Sequence, residues 1–278
     1  MVILNKNFLL IGYQTASLKI LQKSLKIKGC KRAKLINISN FSKKFIKDQK
    51  IHNNLNFLKR YKKNYKFIVG TSEQPFEYKI TKFLKKNNVN FFCYIDSIIN
   101  LRERFQYYNK LPENIITINN IIKKEIRLNL IEKKNKTKIY VLNMPYQTYL
   151  KRKYYKLKRN NNNLLYLTSD FGVNFEKKIV SKLYKTFKFN LFFIGIHPRE
   201  SLKLWKKNFN NLKNIKVTLN KSFFNNKNIS NVYGISTSAL VDYKFAGFDV
   251  SYINTKILKK NPIIKIFKFY KIKPLNLK

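Results

Sequence analysis

The chain of 278 residues is poor in acidic residues, histidine and cysteine. Only 13 acidic side chains stand against 59 basic ones, which gives a formal net charge of +46. Cys30 and Cys93 are too few for a disulfide scaffold and lack metal-ligand spacing, so a reducing compartment is expected. With 2 histidines, a site with three histidine ligands is excluded. No apolar run of the sequence reaches the roughly 18 residues that indicate a membrane-spanning helix.

The excess of positive charge has two explanations. A basic surface that follows phosphate groups is typical of a nucleic-acid-binding protein. Codon drift in an AT-rich genome would instead enrich Lys, Asn, Ile, Phe and Tyr together, and the chain contains 18 Tyr and 23 Phe beside its lysines. The joint enrichment favours drift. In either case the field would attract nucleic acid, anionic membrane surfaces and acidic substrates.

Short apolar runs alternate with segments of helical periodicity along the whole chain. Phe8–Gly12 ends on a glycine and is followed by leucines at helical spacing, and Lys66–Thr71 repeats this pattern. Phe91–Asp96 is a continuous apolar run, which fits a parallel strand covered on both faces. The alternation predicts an α/β protein with parallel sheets and Rossmann-like units.

The basic stretch Lys151–Asn163 interrupts this alternation. It is dense in Lys and Arg, ends in a run of Asn and has little to bury. We predict that it links an N-terminal domain, residues 1–150, to a C-terminal domain, residues 164–278. An RNA-contacting arm is the alternative interpretation, since Tyr154 and Tyr155 among the lysines could stack on bases.

Two strand-to-helix junctions of the C-terminal half carry polar groups that suit a phosphate. One is His197–Glu200 after an apolar strand, and the other is Ser236–Ser238 before a short helix. Backbone N–H groups and a helix dipole favour an anion at such junctions. A plain turn at the first and N-capping at the second are the alternatives. The predicted donor-binding residues are His197, Pro198, Arg199, Glu200, Ser236, Thr237, Ser238 and, at the end of the first strand, Gly12.

Three acids of the N-terminal half follow predicted strands and are the candidate catalytic residues. Glu73 and Glu77 stand where negative charge stabilises a first helical turn, or where a general base would meet an acceptor. Asp96 opens a polar run with Asn100 and Arg104, which is either a capped helix start or the rim of a cleft. Glu77 is the first candidate for the base.

These motifs resemble those of glycosyltransferases of the GT-B fold, in which two Rossmann-like domains face a cleft. His197-Pro198 is similar to the His-Pro motif of bacterial sialyltransferases and polysialyltransferases, and Ser236–Leu240 resembles their paired Ser/Thr motif. The acidic Asp/Glu-Asp/Glu-Gly motif of those enzymes is absent from the sequence. Residues that resemble motifs of polysaccharide-biosynthesis proteins are Gly70, Thr71, Glu77, Asp96, Asn100, Arg104 and Phe105.

The resemblance implies transfer of a sugar from a nucleotide-sugar donor to a surface polysaccharide or a lipid-linked glycan, without a metal or another cofactor. His197 and the Ser236–Ser238 hydroxyls would offset charge on the departing phosphate. Arg199 would pair with that phosphate, and Glu200 would accept a hydrogen bond from the ribose or base. The enzyme would be cytoplasmic and peripheral on the inner face of the membrane. An RNA-binding or ribosomal-type protein and a sugar-nucleotide epimerase on the same fold are the alternatives.

Overall fold

The structure is a computed structural model that describes residues 6–12, 15–38, 55–73, 75–130, 136–160, 163–209, 211–219 and 223–277. The chain divides into two compact units, Met1–Tyr146 and Gln147–Lys278. Each unit is built around its own sheet of six parallel strands. In the part of the chain that the structure describes, no helix is long and apolar enough to span a bilayer.

The first unit contains strands β1 to β6 in the spatial order β2-β1-β3-β4-β5-β6. The strands are β1 Asn7–Gly12, β2 Arg32–Asn37, β3 Lys66–Val69, β4 Phe91–Ile95, β5 Asn114–Thr117 and β6 Lys138–Val141. Its helices are α1 Thr15–Ile27, α2 Pro75–Lys86 and α3 Asn120–Asn129, with 3-10 turns at Asn56–Tyr61 and Glu103–Phe105.

Both faces of the first sheet are covered, which explains its continuous apolar strands. Successive residues of β1 point to opposite faces. Leu9 and Ile11 pack in a core that includes residues of α2, whereas Phe8 and Leu10 pack with leucines of α1. All four side chains are fully buried.

The second unit contains strands β7 to β12 in the spatial order β12-β11-β10-β7-β8-β9. The strands are β7 Asn163–Leu167, β8 Leu191–Ile196, β9 Ile215–Leu219, β10 Ile229–Gly234, β11 Asp249–Ile253 and β12 Lys273–Leu275. The remaining helices are α4 Pro145–Tyr154, α5 Val173–Thr186, α6 Leu202–Phe209, α7 Ala239–Phe245 and α8 Ile263–Phe269, with a 3-10 turn at Leu258–Lys260.

Each sheet has one point at which the order of its strands reverses. In the first unit the chain leaves β1 for β2 and then returns to the other side of β1 with β3. In the second unit it runs from β7 through β8 to β9 and then returns to the other side of β7 with β10. Open parallel sheets bind ligands in the crevice at the carboxyl ends of the strands beside such a switch point. The two switch points, β1/β3 and β7/β10, are therefore the places at which a ligand is expected.

The basic stretch 151–163, which we predicted as a linker, lies within the second unit, which begins at Gln147. Its first residues complete α4 and Asn163 opens β7, whereas residues 161 and 162 lie outside the described residues. Arg159 packs this stretch against the unit, because its guanidinium lies 3.5 Å from the ring centre of Phe248. It also donates hydrogen bonds of 2.9 to 3.2 Å to the main-chain carbonyls of Phe224, Asn226 and Ala246.

Gly247, which follows α7, is a position where we expect a methyl group to destabilise the fold. Its φ is +87°, and a Cβ there would lie 2.8 Å from the carbonyl oxygen of Tyr155. The left-handed backbone alone costs an L-residue about 1–2 kcal/mol, and the main chain of Tyr155 would have to move. We therefore expect Gly247→Ala to lower the free energy of unfolding by about 2 kcal/mol or more, as measured by urea denaturation.

A control for this substitution is Gly70→Ala in the first unit. A Cβ at Gly70 would meet Leu18 Cδ1 at 3.4 Å, an ordinary contact with the end of a side chain. The expected loss is below about 1 kcal/mol, because neither backbone strain nor a main-chain clash arises. Equal losses for the two variants would show that Gly247 is not a constrained position.

Candidate functional site

The carboxyl edge of the second sheet holds both predicted donor-binding turns. The loop that follows β7 touches the strands on either side of it. The N–H of His197, at the end of β8, donates to Thr168 Oγ1 at 2.6 Å. The N–H of Ser236, after β10, donates to Ser169 Oγ at 3.0 Å. Consecutive residues of one loop thus hold the two turns roughly 10 Å apart, the width of two strand spacings.

The His197 imidazole is placed as a neutral hydrogen-bond donor. Its Nδ1 accepts a hydrogen bond of 3.3 Å from the N–H of Arg199, so the proton of the neutral ring is on Nε2. Burial, followed by the nearby charge of Arg199, lowers the pKa of His197. The ring is therefore uncharged at pH 7, and its Nε2–H can donate to a ligand.

The Arg199 side chain is largely exposed and already has an anionic partner. Its Nη2 lies 2.9 Å from Asp170 Oδ2, with 64 % of the arginine side chain exposed. Asp170 has a left-handed backbone with φ of +66°, which is uncommon outside glycine and is often found at functional sites. Pro198 is exposed within the same turn. The ion pair connects the β7 and β8 loops at their outer rim.

Glu200 presents a buried carboxylate oxygen that is not satisfied. The Thr168 hydroxyl donates to Glu200 Oε2, which also accepts from the N–H of His197 at 3.3 Å. Oε1 of Glu200 is buried and has no hydrogen-bond partner among the residues that the structure describes. A buried acceptor without a donor costs about 1–3 kcal/mol. A hydroxyl group of a ligand could supply that donor.

Glu176, in the first turn of α5, fixes the loop that carries Thr168 and Ser169. Its Oε1 accepts from the N–H groups of Ser169 at 3.0 Å and Phe171 at 3.1 Å. Its Oε2 accepts from the Tyr166 hydroxyl at 2.5 Å. Burial raises the pKa of Glu176 to about 7. Sequence reasoning missed this residue, although a glutamate early in a helix is a recognisable signal for capping of the preceding loop.

The Ser236–Ser238 turn follows a glycine that allows β10 to approach β7 closely. A Cβ at Gly234 would lie 3.0 Å from the carbonyl oxygen of Leu167. Ser238 is the residue before α7, yet its side chain makes no capping hydrogen bond. Thr237 Oγ1 accepts from the N–H of Ala239 at a long 3.4 Å. Side-chain capping by Ser238 is therefore not the role of this turn.

In the first unit, the residues of the predicted polar rim lie close together at the carboxyl ends of β3 and β4. Arg104 Nη1 donates to Asp96 Oδ1 at 2.8 Å and to the carbonyl oxygen of Thr71 at 3.3 Å. Asn100 Nδ2 donates to Glu73 Oε1 at 2.5 Å. Asp96 is 30 % exposed and Glu73 is exposed. Two of the three candidate catalytic acids therefore lie at an accessible edge of the sheet.

Glu77, the third candidate, lies beneath the β1/β3 switch point. Glu77 is 2 % exposed, and the Ser72 hydroxyl donates a hydrogen bond of 2.5 Å to its Oε2. A Cβ at Gly12 would lie 3.7 Å from Glu77 Oε1 and 2.5 Å from Leu18 Cδ1. Gly12 thus leaves room for the Leu18 side chain beside Glu77, and this part of the switch point is closely packed.

The cysteines are placed as inert core residues. Cys30 and Cys93 are both buried free thiols, and burial raises the pKa of Cys93 to about 12. A thiol with a raised pKa is a poor nucleophile and a poor metal ligand. Within the described ranges, no group of three or more His, Cys, Asp and Glu residues is arranged to hold a metal ion.

No protein-family model matches the chain, and no curated protein matches it in sequence. Among solved structures, the chain is similar to UDP-GlcNAc 2-epimerase from Neisseria meningitidis bound to UDP-GlcNAc, with a TM-score of 0.56 over 98 % of this chain and 88 % of that chain. The two sequences are 9 % identical, so the likeness concerns the fold alone. It confirms the predicted fold class, α/β with two Rossmann-like units of the GT-B kind.

Proposed function

We propose that the chain is a nucleotide-sugar enzyme, and more specifically a glycosyltransferase that needs no metal. The observation that supports this most directly is the set of groups around the β7/β10 switch point. His197 offers a neutral N–H donor, the Ser236–Ser238 turn offers hydroxyls, and Glu200 offers an unsatisfied acceptor oxygen. Donors suit phosphate oxygens, and a carboxylate acceptor suits the hydroxyls of a ribose.

Glycosyl transfer develops negative charge on the departing phosphate. Donors that are already in position stabilise that charge without reorganising during the reaction. In our proposal, His197 Nε2–H and the Ser236, Thr237 and Ser238 hydroxyls fulfil this role. The hydrogen bonds from His197 and Ser236 to the β7 loop keep both turns in place before the donor arrives. Arg199 then acts at the rim, because Asp170 already engages its guanidinium.

An acceptor hydroxyl must also lose its proton. Among the three candidate acids, Glu73 suits a general base best, because it is exposed. Asp96 is engaged by Arg104, and the buried Glu77 accepts from Ser72. We therefore place Glu73 ahead of Glu77 as the base and assign Asp96 and Arg104 to holding the loop that presents Glu73. The proposed acceptor is a surface polysaccharide or a lipid-linked glycan.

The proposed acceptor also suggests a role for the positive charge of the chain. A lipid-linked glycan lies at a membrane surface, and a protein of net charge +46 is attracted to anionic lipids. We accordingly propose a cytoplasmic enzyme that binds peripherally to the inner face of the membrane during polysaccharide biosynthesis.

A nucleotide-sugar epimerase is the second candidate, and the likeness to a UDP-GlcNAc 2-epimerase favours it. Both candidates use the same donor site and differ in the product. Incubation of the protein with CMP-, UDP- and GDP-sugars, with and without lipid-linked glycan acceptors, distinguishes them. A transferase extends the acceptor and releases nucleotide, whereas an epimerase changes the sugar without an acceptor. Inertness towards all three nucleotide-sugar classes would contradict the proposal.

A further inference from the structure

The first unit contains a cavity of about 530 Å³ that is separate from the candidate site. It lies between α2 and the segment that leads into β5. Phe91 and Asn114, the first residues of β4 and β5, lie at its base. Glu73 and Asp96 follow the opposite, carboxyl ends of β3 and β4. The volume is in the range of pockets that bind small molecules.

One stripe of α2 gives the cavity its positive charge. Tyr78, Thr81, Lys82 and Lys85 line it from positions that lie on one face of the helix. Lys110, in the segment that leads into β5, contributes a further ammonium group to the lining. Of the described residues that line the cavity, three are lysines and one, Glu113, is acidic.

The aromatic wall of the cavity is held in a fixed arrangement. Tyr78 and Tyr108 line the cavity. Tyr107, which is not among the described lining residues, stacks on Tyr78 with centroids 6.2 Å apart and an interplanar angle of 27°. Tyr108 packs edge-on against Tyr78 at 4.9 Å, and its hydroxyl accepts from Thr81 Oγ1 at 3.2 Å. The wall thus offers rigid ring surface beside the lysines, with little conformational entropy to lose on binding.

Asparagine amides complete the lining. Asn88, Asn90, Asn109 and Asn114 border the cavity, and each amide can both donate and accept hydrogen bonds. Sugar hydroxyls need such groups, the apolar face of a sugar ring packs on aromatic rings, and carboxylates of an acidic sugar pair with lysines. We propose that this cavity is a binding site for an acidic oligosaccharide, distinct from the site for the nucleotide-sugar.

A phosphate-bearing ligand fits the same cavity less well. Phosphates favour helix N-termini and glycine-rich loops. The cavity is instead lined by the middle and the end of α2, where the helix dipole is negative. Among the residues that the structure describes, its lining contains neither arginine nor glycine. A carboxylate carries a single negative charge, so it meets less repulsion from this helix end than a phosphate monoester, which carries about −1.5 to −2. The carboxylates of an acidic glycan are therefore the favoured anions.

The test is titration of the full chain with two acidic probes, a galacturonic acid tetramer and an α2,8-linked sialic acid tetramer, beside the neutral maltotetraose. At least one acidic probe should bind more tightly than maltotetraose by tenfold or greater. The Lys82→Ala/Lys85→Ala variant should weaken that binding about tenfold. The matched control is Lys79→Ala/Lys86→Ala, which removes the same charge from α2 outside the cavity and should leave the affinity within about twofold.

The proposal is overturned if neither acidic probe binds better than the neutral one, or if the two lysine pairs have equal effects, which would indicate attraction by net charge alone. It is also overturned if UDP competes for the site. Circular dichroism of each variant confirms folding, and Tyr78→Ala, which removes an aromatic ring from the lining, provides an independent test by weakening binding of the acidic probe severalfold. The inference does not depend on the proposed transferase activity. His197→Ala should therefore leave glycan binding unchanged.

Discussion

Glu73→Gln is expected to lower kcat by about 10²- to 10⁴-fold, the usual contribution of a positioned general base. Asn100 Nδ2 donates to Glu73 Oε1, and the amide oxygen of glutamine can accept the same hydrogen bond. The substitution therefore keeps the side chain in place and removes only its capacity to take a proton. KM for the donor should change little, because Glu73 is not among the groups proposed to bind the donor.

Two further substitutions make this expectation specific. Glu103→Gln removes an exposed carboxylate from the 3-10 turn of the same unit and should retain wild-type kcat. Glu77→Gln alters a buried hydrogen bond with Ser72 and should mainly reduce thermal stability. If Glu77→Gln abolishes turnover in a folded protein while Glu73→Gln remains active, the base is Glu77. Initial rates with a saturating acceptor measure all three.

Glu176→Gln is expected to remove a strong pH dependence of the folding stability. Burial raises the pKa of Glu176 from its ordinary 4.5 to about 7, so the folded state holds the protonated form more tightly than the unfolded chain does. The stabilising contribution of the protonated carboxyl is complete below pH 4.5 and is lost as the pH rises through about 7. The pKa difference corresponds to about 3 kcal/mol.

The stability of the Glu176→Gln variant relative to the wild type should therefore increase as the pH rises. A glutamine can accept from Ser169 and Phe171 and donate to Tyr166, and it cannot ionise. The free energy of unfolding of Glu176→Gln minus that of the wild type should grow by about 3 kcal/mol between pH 4.5 and pH 8. Urea denaturation across this range measures the difference. If the free energies of unfolding of the two proteins change with pH in parallel, Glu176 does not titrate as described.

The sequence allowed the fold class to be predicted because the strands are buried on both faces. Continuous apolar runs such as Phe8–Gly12 and Phe91–Ile95 are recognisable without knowledge of their neighbours. Strand order cannot be recognised in this way, since it depends on pairing between distant segments. The β7/β10 switch point could therefore not be located from periodicity, although His197 and Ser236 could be singled out as residues that follow strands.

The residues that sequence reasoning missed are those whose roles depend on long-range contacts. Thr168 and Ser169 look like ordinary loop residues until the sheet places them between His197 and Ser236. Glu176 looks like a helical surface acid until the packing buries it completely. In our proposal, exposure also places Glu73 ahead of Glu77, the first candidate from the sequence, as the general base.

The measurement that tests the central claim most directly is calorimetric titration of the chain and of His197→Ala with CMP, CDP, UDP and GDP. At least one nucleotide should bind with one-to-one stoichiometry, and His197→Ala should weaken its Kd about tenfold or more, since a hydrogen bond to a charged group is worth about 1.5–3 kcal/mol. Lys203→Ala, an exposed change on α6, should leave Kd within about twofold. Failure of all four nucleotides to bind, or equal affinity for the wild type and His197→Ala, would contradict a nucleotide site at the carboxyl edge of the second sheet.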